Sequence, residues 1–329
     1  MPWGLDRDGI GRQAAQSTVV TRTHAAMRNL LLDLRYRAEY LGLRLIAGLF
    51  RAVPLEVGGN VSARMWRLLA PFDRRHKRAL QNLSIAYPDK TPAEREATAL
   101  AMWENLGRVM VETMQIDRII ADPSRLELTP ATASVFERYK NKMGAAIGVT
   151  LHMGNWELAA WPLTLAGNNP AAVYRTVKNP YVDEYLRWLR RDLYPGGLLG
   201  KGRITGNLED GQKTARLIMD FVRQGGRLGL VCDLYDRSGL PVPFFGRPAK
   251  SVTIPAMIAR RVGARVWIGR CLRVGKQSRF RIEFLELKVP RTANAAEDVK
   301  SITAAMQAQF EAWVREVPEQ WMWSNRRWG

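Results

Sequence analysis

The 329-residue chain is 47% hydrophobic, ample for a large buried core, so disorder is excluded as the default. Fifty Lys and Arg against 31 acidic residues leave a formal charge of +19, which favours anionic partners: nucleic acid, anionic lipid or an acidic protein. Two cysteines, Cys232 and Cys271, and three scattered histidines stand at no ligand-like spacing, which argues for a reducing compartment and against a metal site.

Arg22, Arg28, Asp33, Arg35 and Arg37 punctuate the N-terminal stretch, so no signal-peptide core is expected. From about 27 to 53 the periodicity predicts an amphipathic helix, with Leu34, Leu41, Leu45 and Leu49 near one face and Arg37, Arg44 and Arg51 seven residues apart. Such a helix can lie on an anionic membrane, arginines toward lipid phosphates, or it can be a core helix with a solvated stripe. Arg44 and Arg51 interrupt the apolar stretch from Leu41 to Val53, which disfavours a membrane-spanning reading. Pro54 and a Gly58-Gly59-Asn60 turn are expected to end the helix, with further helices at about 61–70, 74–86 and 92–116.

After Asp122-Pro123-Ser124 short apolar runs alternate with amphipathic segments, the pattern of an α/β fold. Strands are expected near 145–151, 171–174, 228–232, 266–272 and 280–287, and helices near 156–166, 181–193, 210–223, 253–262 and 296–317. With no repeat and no low-complexity linker, a helical part (1–120) and an α/β part (121–329) are expected to form one composite domain.

The densest chemical signal is Thr150-Leu151-His152-Met153-Gly154-Asn155-Trp156-Glu157, where an apolar strand delivers a histidine to its C-terminal end. Ligands of open α/β sheets bind at such ends. A histidine there can take a proton from an alcohol if a carboxylate fixes its tautomer, and Glu157 in the first turn of the next helix is the nearest candidate. The alternative is a satisfied polar histidine beside a glutamate that complements a helix dipole. No Gly-x-Ser-x-Gly elbow, Walker loop or metalloprotease helix motif is present.

His152-Met153-Gly154-Asn155-Trp156-Glu157 resembles the His-x4-Asp/Glu motif of glycerolipid-type acyltransferases, in the version of the late lipid A acyltransferases of Gram-negative bacteria. Four further blocks agree in order: Asn82 to Pro88; Val173-Tyr174-Arg175 with Lys178-Asn179-Pro180; Val242 to Ala249; and Glu319 to Trp323 with Arg326-Arg327-Trp328. The resemblance implies a helical N-terminal part packed on a mixed-sheet acyltransferase domain. It implies transfer of an acyl chain from acyl carrier protein to a hydroxyl of a lipid A precursor, without cofactor, at the cytoplasmic face of the inner membrane.

His152 would then be the general base and Glu157 its orienting partner, while Arg175 would stabilise negative charge or grip a phosphate. Lys178 and Asn179 follow in the same substrate-binding block, and Arg187, Arg190 and Arg191 extend its basic region. Asp233 would hold a substrate group or brace Arg175, although the Gln that usually follows it is Leu234 here. Phe244-Phe245-Gly246 would wall an acyl channel or simply pack a core, and Trp321, Trp323 and Trp328 would be interfacial anchors or core residues. An acyltransferase for another glycolipid, such as a phosphatidylinositol mannoside, shares the motif. A nucleic-acid binding protein fits the charge but leaves the strand-end histidine unexplained.

Overall fold

A computed structural model describes the backbone over 7–139, 144–201 and 208–329, and side chains over 27–139, 144–200 and 216–329. Helices α1 (Arg7–Arg51), α2 (Leu55–Leu69), α3 (Arg74–Ala86), α4 (Pro92–Thr113) and α5 (Ile116–Ile120) come first. Then follow β1 (Leu126–Leu128), α6 (Pro130–Tyr139), β2 (Ala146–Thr150), a 3-10 turn at Trp156–Ala160, α7 (Trp161–Leu165), β3 (Pro170–Arg175), α8 (Pro180–Arg190) and β4 (Leu198–Lys201). The chain continues through α9 (Leu208–Arg223), β5 (Arg227–Val231), β6 (Tyr235–Phe244), β7 (Arg247–Ser251), α10 (Ile254–Val262), β8 (Arg265–Arg273), β9 (Phe280–Leu287) and α11 (Ala295–Glu316). The seven-stranded sheet has the order β1-β9-β8-β2-β5-β3-β4, parallel except for the antiparallel β8–β9 pair, while β6 and β7 form a separate hairpin. The fold is thus α/β with a helical N-terminal part and a mixed sheet.

Local chemistry sets the helix ends. Thr91 and Glu94 close a capping box over α4 with Pro92 in its first turn, and Asn294 caps α11 through Glu297 N–H. The expected turn at Gly58-Gly59-Asn60 is not one: Pro54 ends α1 and caps α2, and both glycines lie inside α2. A Cβ on Gly58 would come within 3.2 Å of Phe50 and 3.3 Å of Val111, and one on Gly107 within 2.8 Å of Ser62 O, so the glycines serve close packing of α1, α2 and α4.

Helix α1 also packs differently from the expectation. Its inward face is Tyr36, Tyr40, Leu43, Ala47 and Phe50, whereas Leu34, Leu41, Leu45 and Leu49 are each more than half exposed, which removes the core-helix alternative for that leucine face. The arginines turn toward protein: Arg51 pairs with Asp117 at 2.8 Å, Arg37 with Asp33 at 2.7 Å, and Arg44 lies over the Tyr185 ring. Among the described residues no helix is long and apolar enough to cross a membrane.

The sheet is two-faced. Ile147, Val149, Leu228, Leu230, Val266 and Ile268 are buried together with Val222, Ile258 and Phe310 from the covering helices. The alternate residues Gly148, Thr150, Gly229 and Val231 are only partly covered and line a cavity.

Candidate active site

Parallel pairing of β2 with β5 places Thr150 opposite Val231, and Cys232 N–H donates to Thr150 O at 2.9 Å. Two residues further on, that register sets His152 against Asp233. Their side chains meet, with His152 Nδ1 2.8 Å from Asp233 Oδ1, while Oδ2 accepts from His152 N–H at 3.0 Å and from Trp321 Nε1 at 2.7 Å. Asp233 is 1% exposed, and 18% of the His152 side chain remains accessible.

The turn carrying His152 is fixed from behind. Gly154 adopts φ 58°, and a Cβ there would fall 1.9 Å from Cys271 O, so this position requires glycine. Gly154 N–H donates to Gln320 O, Met322 N–H to His152 O, and Asn155 N–H to Cys271 O. Asn105 donates to Gly154 O at 3.1 Å and Asn155 to Glu112 at 2.9 Å. Glu112 is fully buried and forms a two-pronged pair with Arg273, whose Nε also donates to Asn105. Removing one member of such a network leaves a buried charge or polar group unpaired.

Each partner of the dyad stabilises the charged form of the other. Burial pulls the His152 pKa down, but the charge and hydrogen bond of Asp233, with a smaller contribution from Glu157, outweigh it and leave the pKa raised. Burial pushes Asp233 up, yet His152 and the N–H donors hold it below the usual carboxylate range. A carboxylate on Nδ1 fixes the proton there and leaves Nε2 as the basic nitrogen.

The expected His152–Glu157 contact is not formed. Glu157 instead takes two bonds from Arg190, Nε at 2.7 Å and Nη2 at 2.5 Å, tying the 3-10 turn to α8. A carboxylate five residues along is carried away from the ring by that turn, whereas Asp233 lies directly across the sheet. Arg175 ends β3, is exposed, and lines the cavity that also holds His152, as expected from its strand-end position. Lys178 is exposed outside the cavity lining.

Asn179 is structural rather than substrate-facing. It caps α8 by accepting from Tyr181 and Val182 N–H, and donates to Tyr36 O and Glu39 of α1. Phe244 and Phe245 do not wall the cavity either; they are buried against Trp321, Trp323, Trp328 and Tyr87. Phe245 and Gly246 form the β6–β7 turn with φ of 52° and 69°, the left-handed pair that a tight hairpin demands. Trp321 and Trp323 are core residues, and Trp321 also holds Asp233.

The cavity has a volume of about 750 Å³, with His152, Arg175 and the Glu157–Arg190 pair among its polar groups. Thr150 is among its lining residues, with its Oγ1 buried and without a hydrogen-bond partner of its own. A shallower depression of about 440 Å³ around Gly263, Arg265 and Arg291 lies away from this dyad. Among the described residues no cluster of His, Cys, Asp and Glu could hold a metal ion.

The chain has no match among curated proteins. The family model described as bacterial lipid A biosynthesis acyltransferase matches residues 25–329, and the chain belongs to that family.

Proposed function

From that membership, which makes the protein an acyltransferase of lipid A biosynthesis acting on a lipid A precursor, we propose the following mechanism. His152 is the general base, Asp233 its positioning residue, and acyl carrier protein the acyl donor. The observation that carries the reading is the bond from His152 Nδ1 to buried Asp233 at the edge of a cavity, with Nε2 left basic. Nε2 takes the proton of the acceptor hydroxyl as its oxygen attacks the thioester carbonyl. The imidazolium is stabilised by Asp233 until the C–S bond breaks and the proton passes to the departing thiolate. Arg175, which belongs to the cavity lining, stabilises the oxyanion. Glu157 acts through Arg190, holding the cavity wall rather than the imidazole.

Arg175, Lys178, Arg187 and Arg191 are exposed near that wall, which suits an acidic carrier protein or a phosphorylated glycolipid. The outward leucines of α1 support peripheral attachment to the cytoplasmic face of the inner membrane. Purified protein, acyl carrier protein charged with acyl chains and lipid A precursors, read by mass spectrometry, test the reaction. Absence of acylated product with any donor sinks the choice of donor. Arg175→Lys should lower turnover with little change in half-saturating acceptor if the guanidinium serves the oxyanion. Unchanged kinetics in Arg175→Lys and Arg175→Ala remove it from the site.

A further inference from the structure

Across the middle of the sheet, pairing sets Ala172 of β3, Gly229 of β5, Gly148 of β2 and Trp267 of β8 in one transverse row. Ala172, Gly229 and Gly148 line the cavity, on the same face as Thr150. Gly148 lies four residues before His152, roughly 13 Å along the strand direction. The row therefore crosses the cavity well inside it, at a distance from the base.

These two glycines differ from Gly269 on β8. A Cβ on Gly269 would meet the Phe284 ring at 2.2 Å, so that hollow is already filled by protein. A Cβ on Gly148 would meet nothing nearer than Leu228 O at 3.9 Å, and one on Gly229 nothing nearer than Ala171 O at 3.6 Å. Neither glycine has a positive φ, and neither backbone requires glycine. Gly in a strand interior weakens the strand, and here neither conformation nor close packing accounts for it. The hollows open onto a cavity whose apolar lining includes Leu163, Val231 and Phe284. Trp267, buried with Ala146 and Leu163, bounds the row on one side.

We propose that Gly148 and Gly229 form the floor on which the donor's saturated acyl chain lies, and that their missing side chains set the longest chain accepted. The inference rests on the acyl-transfer reading above and adds the determinant of donor length. A methyl or isopropyl group on this floor removes volume where the distal part of the chain runs. Chains that stop short of the row do not meet it.

The test uses Gly148→Ala, Gly148→Val, Gly229→Ala and Gly229→Val with acyl carrier protein charged with chains of graded length at a fixed acceptor. The expected result is turnover of the longest accepted donors reduced roughly tenfold or more, with short donors unaffected and preference shifted to shorter chains. Thermal midpoints should stay level or rise in the alanine variants, since a Cβ fits. Equal loss for short and long donors overturns the inference. So does an unchanged length profile, or a rise in half-saturating acceptor with no change in donor preference, which assigns the floor to an acceptor chain. Binding of free fatty acids of graded length, followed by calorimetry, reads the channel without turnover. Affinity should stop rising with length at a shorter chain in the valine variants, and an identical plateau in all proteins overturns the proposal. Absence of transfer by the wild type with every donor is a separate result, which sinks acyl carrier protein as the donor while the binding data still decide the channel.

Discussion

The two faces of the central strands use the same backbone for opposite ends. On one, Ile147, Val149, Leu228 and Leu230 are buried against α9, α10 and α11; on the other, Gly148, Thr150 and Gly229 leave a cavity that His152 borders, with Asp233 buried behind it. Parallel sheets are normally covered with apolar side chains on both faces, so the glycine-rich face gives up packing. Alternation by single residues separates the two roles: a change at Ile147 tests the fold, and one at His152, just past the strand end, tests the chemistry. His152→Ala should lower turnover ~10²- to 10⁴-fold in a protein that still folds, with some loss of stability because buried Asp233 loses its ring partner. Ile147→Ala should instead cost ~2–5 kcal/mol of stability, measured by denaturant unfolding. A folded His152→Ala protein with wild-type turnover would break the division at its strongest point.

Asp233→Asn sharpens the same comparison. Because the His152 pKa is raised in the folded protein, the acid limb of kcat/KM should lie above the usual histidine range. Removing the carboxylate leaves burial as the main influence, so the limb should move to lower pH while turnover falls by up to ~10⁴-fold. The linkage runs likewise: the raised His152 pKa contributes stability that is present below the unfolded value and lost as pH rises through the folded one. The depressed Asp233 pKa contributes stability that is present above its unfolded value and lost as pH falls through the folded one. An unmoved acid limb in Asp233→Asn counts against the dyad even if activity drops.

Glu157 and Arg190 give a smaller and different signature. Each side chain is less than a fifth exposed, so removing one strands the other, at a cost of about 3 kcal/mol. Glu157→Gln and Arg190→Gln should each lower the thermal midpoint, and the double variant should lose less than the sum of the two. The acid limb should move far less in Glu157→Gln than in Asp233→Asn, because Glu157 reaches His152 through charge alone. A pH shift equal to that of Asp233→Asn would return Glu157 to the orienting role that its spacing suggested.

What was legible in the sequence follows from how far each feature reaches along the chain. The strand-end histidine was readable because an apolar run, the histidine and a Gly-Asn turn are contiguous, and the same holds for Arg175 at the end of β3. Its orienting partner was not, since Asp233 is 81 residues away and meets His152 only through the β2–β5 register. Glu157 looked closer because spacing in sequence stood in for distance in space. Gly58-Gly59 was read as a turn because the use of a glycine such as Gly58 in close helix packing leaves no local mark. In α1, leucine periodicity located a helix but not its inward face, which tyrosines, Ala47 and Phe50 supply. The transverse row of Ala172, Gly229 and Gly148 has no sequence signature, because three separate strands contribute to it.

The smallest effect concerns those outward leucines, which divide α1 as the sheet is divided. Tyr40, Leu43, Ala47 and Phe50 hold it to the protein, while Leu41, Leu45 and Leu49 are each more than 60% exposed. A stripe of that size facing water is unfavourable, and insertion into a bilayer interface relieves the cost without a spanning helix. Arg37, Arg44 and Arg51 are engaged with protein groups, so attraction to anionic lipid should come less from this stripe than an exposed arginine face would supply. Replacing Leu41, Leu45 and Leu49 together by Glu should reduce sedimentation with anionic vesicles roughly tenfold. Turnover on detergent-dispersed acceptor should be unchanged, because none of the three touches the cavity lining. Raising salt should weaken wild-type binding only partly, since the apolar contribution is not screened. Equal sedimentation of the triple variant and the wild type would show that α1 is not the attachment surface, whatever the sheet does.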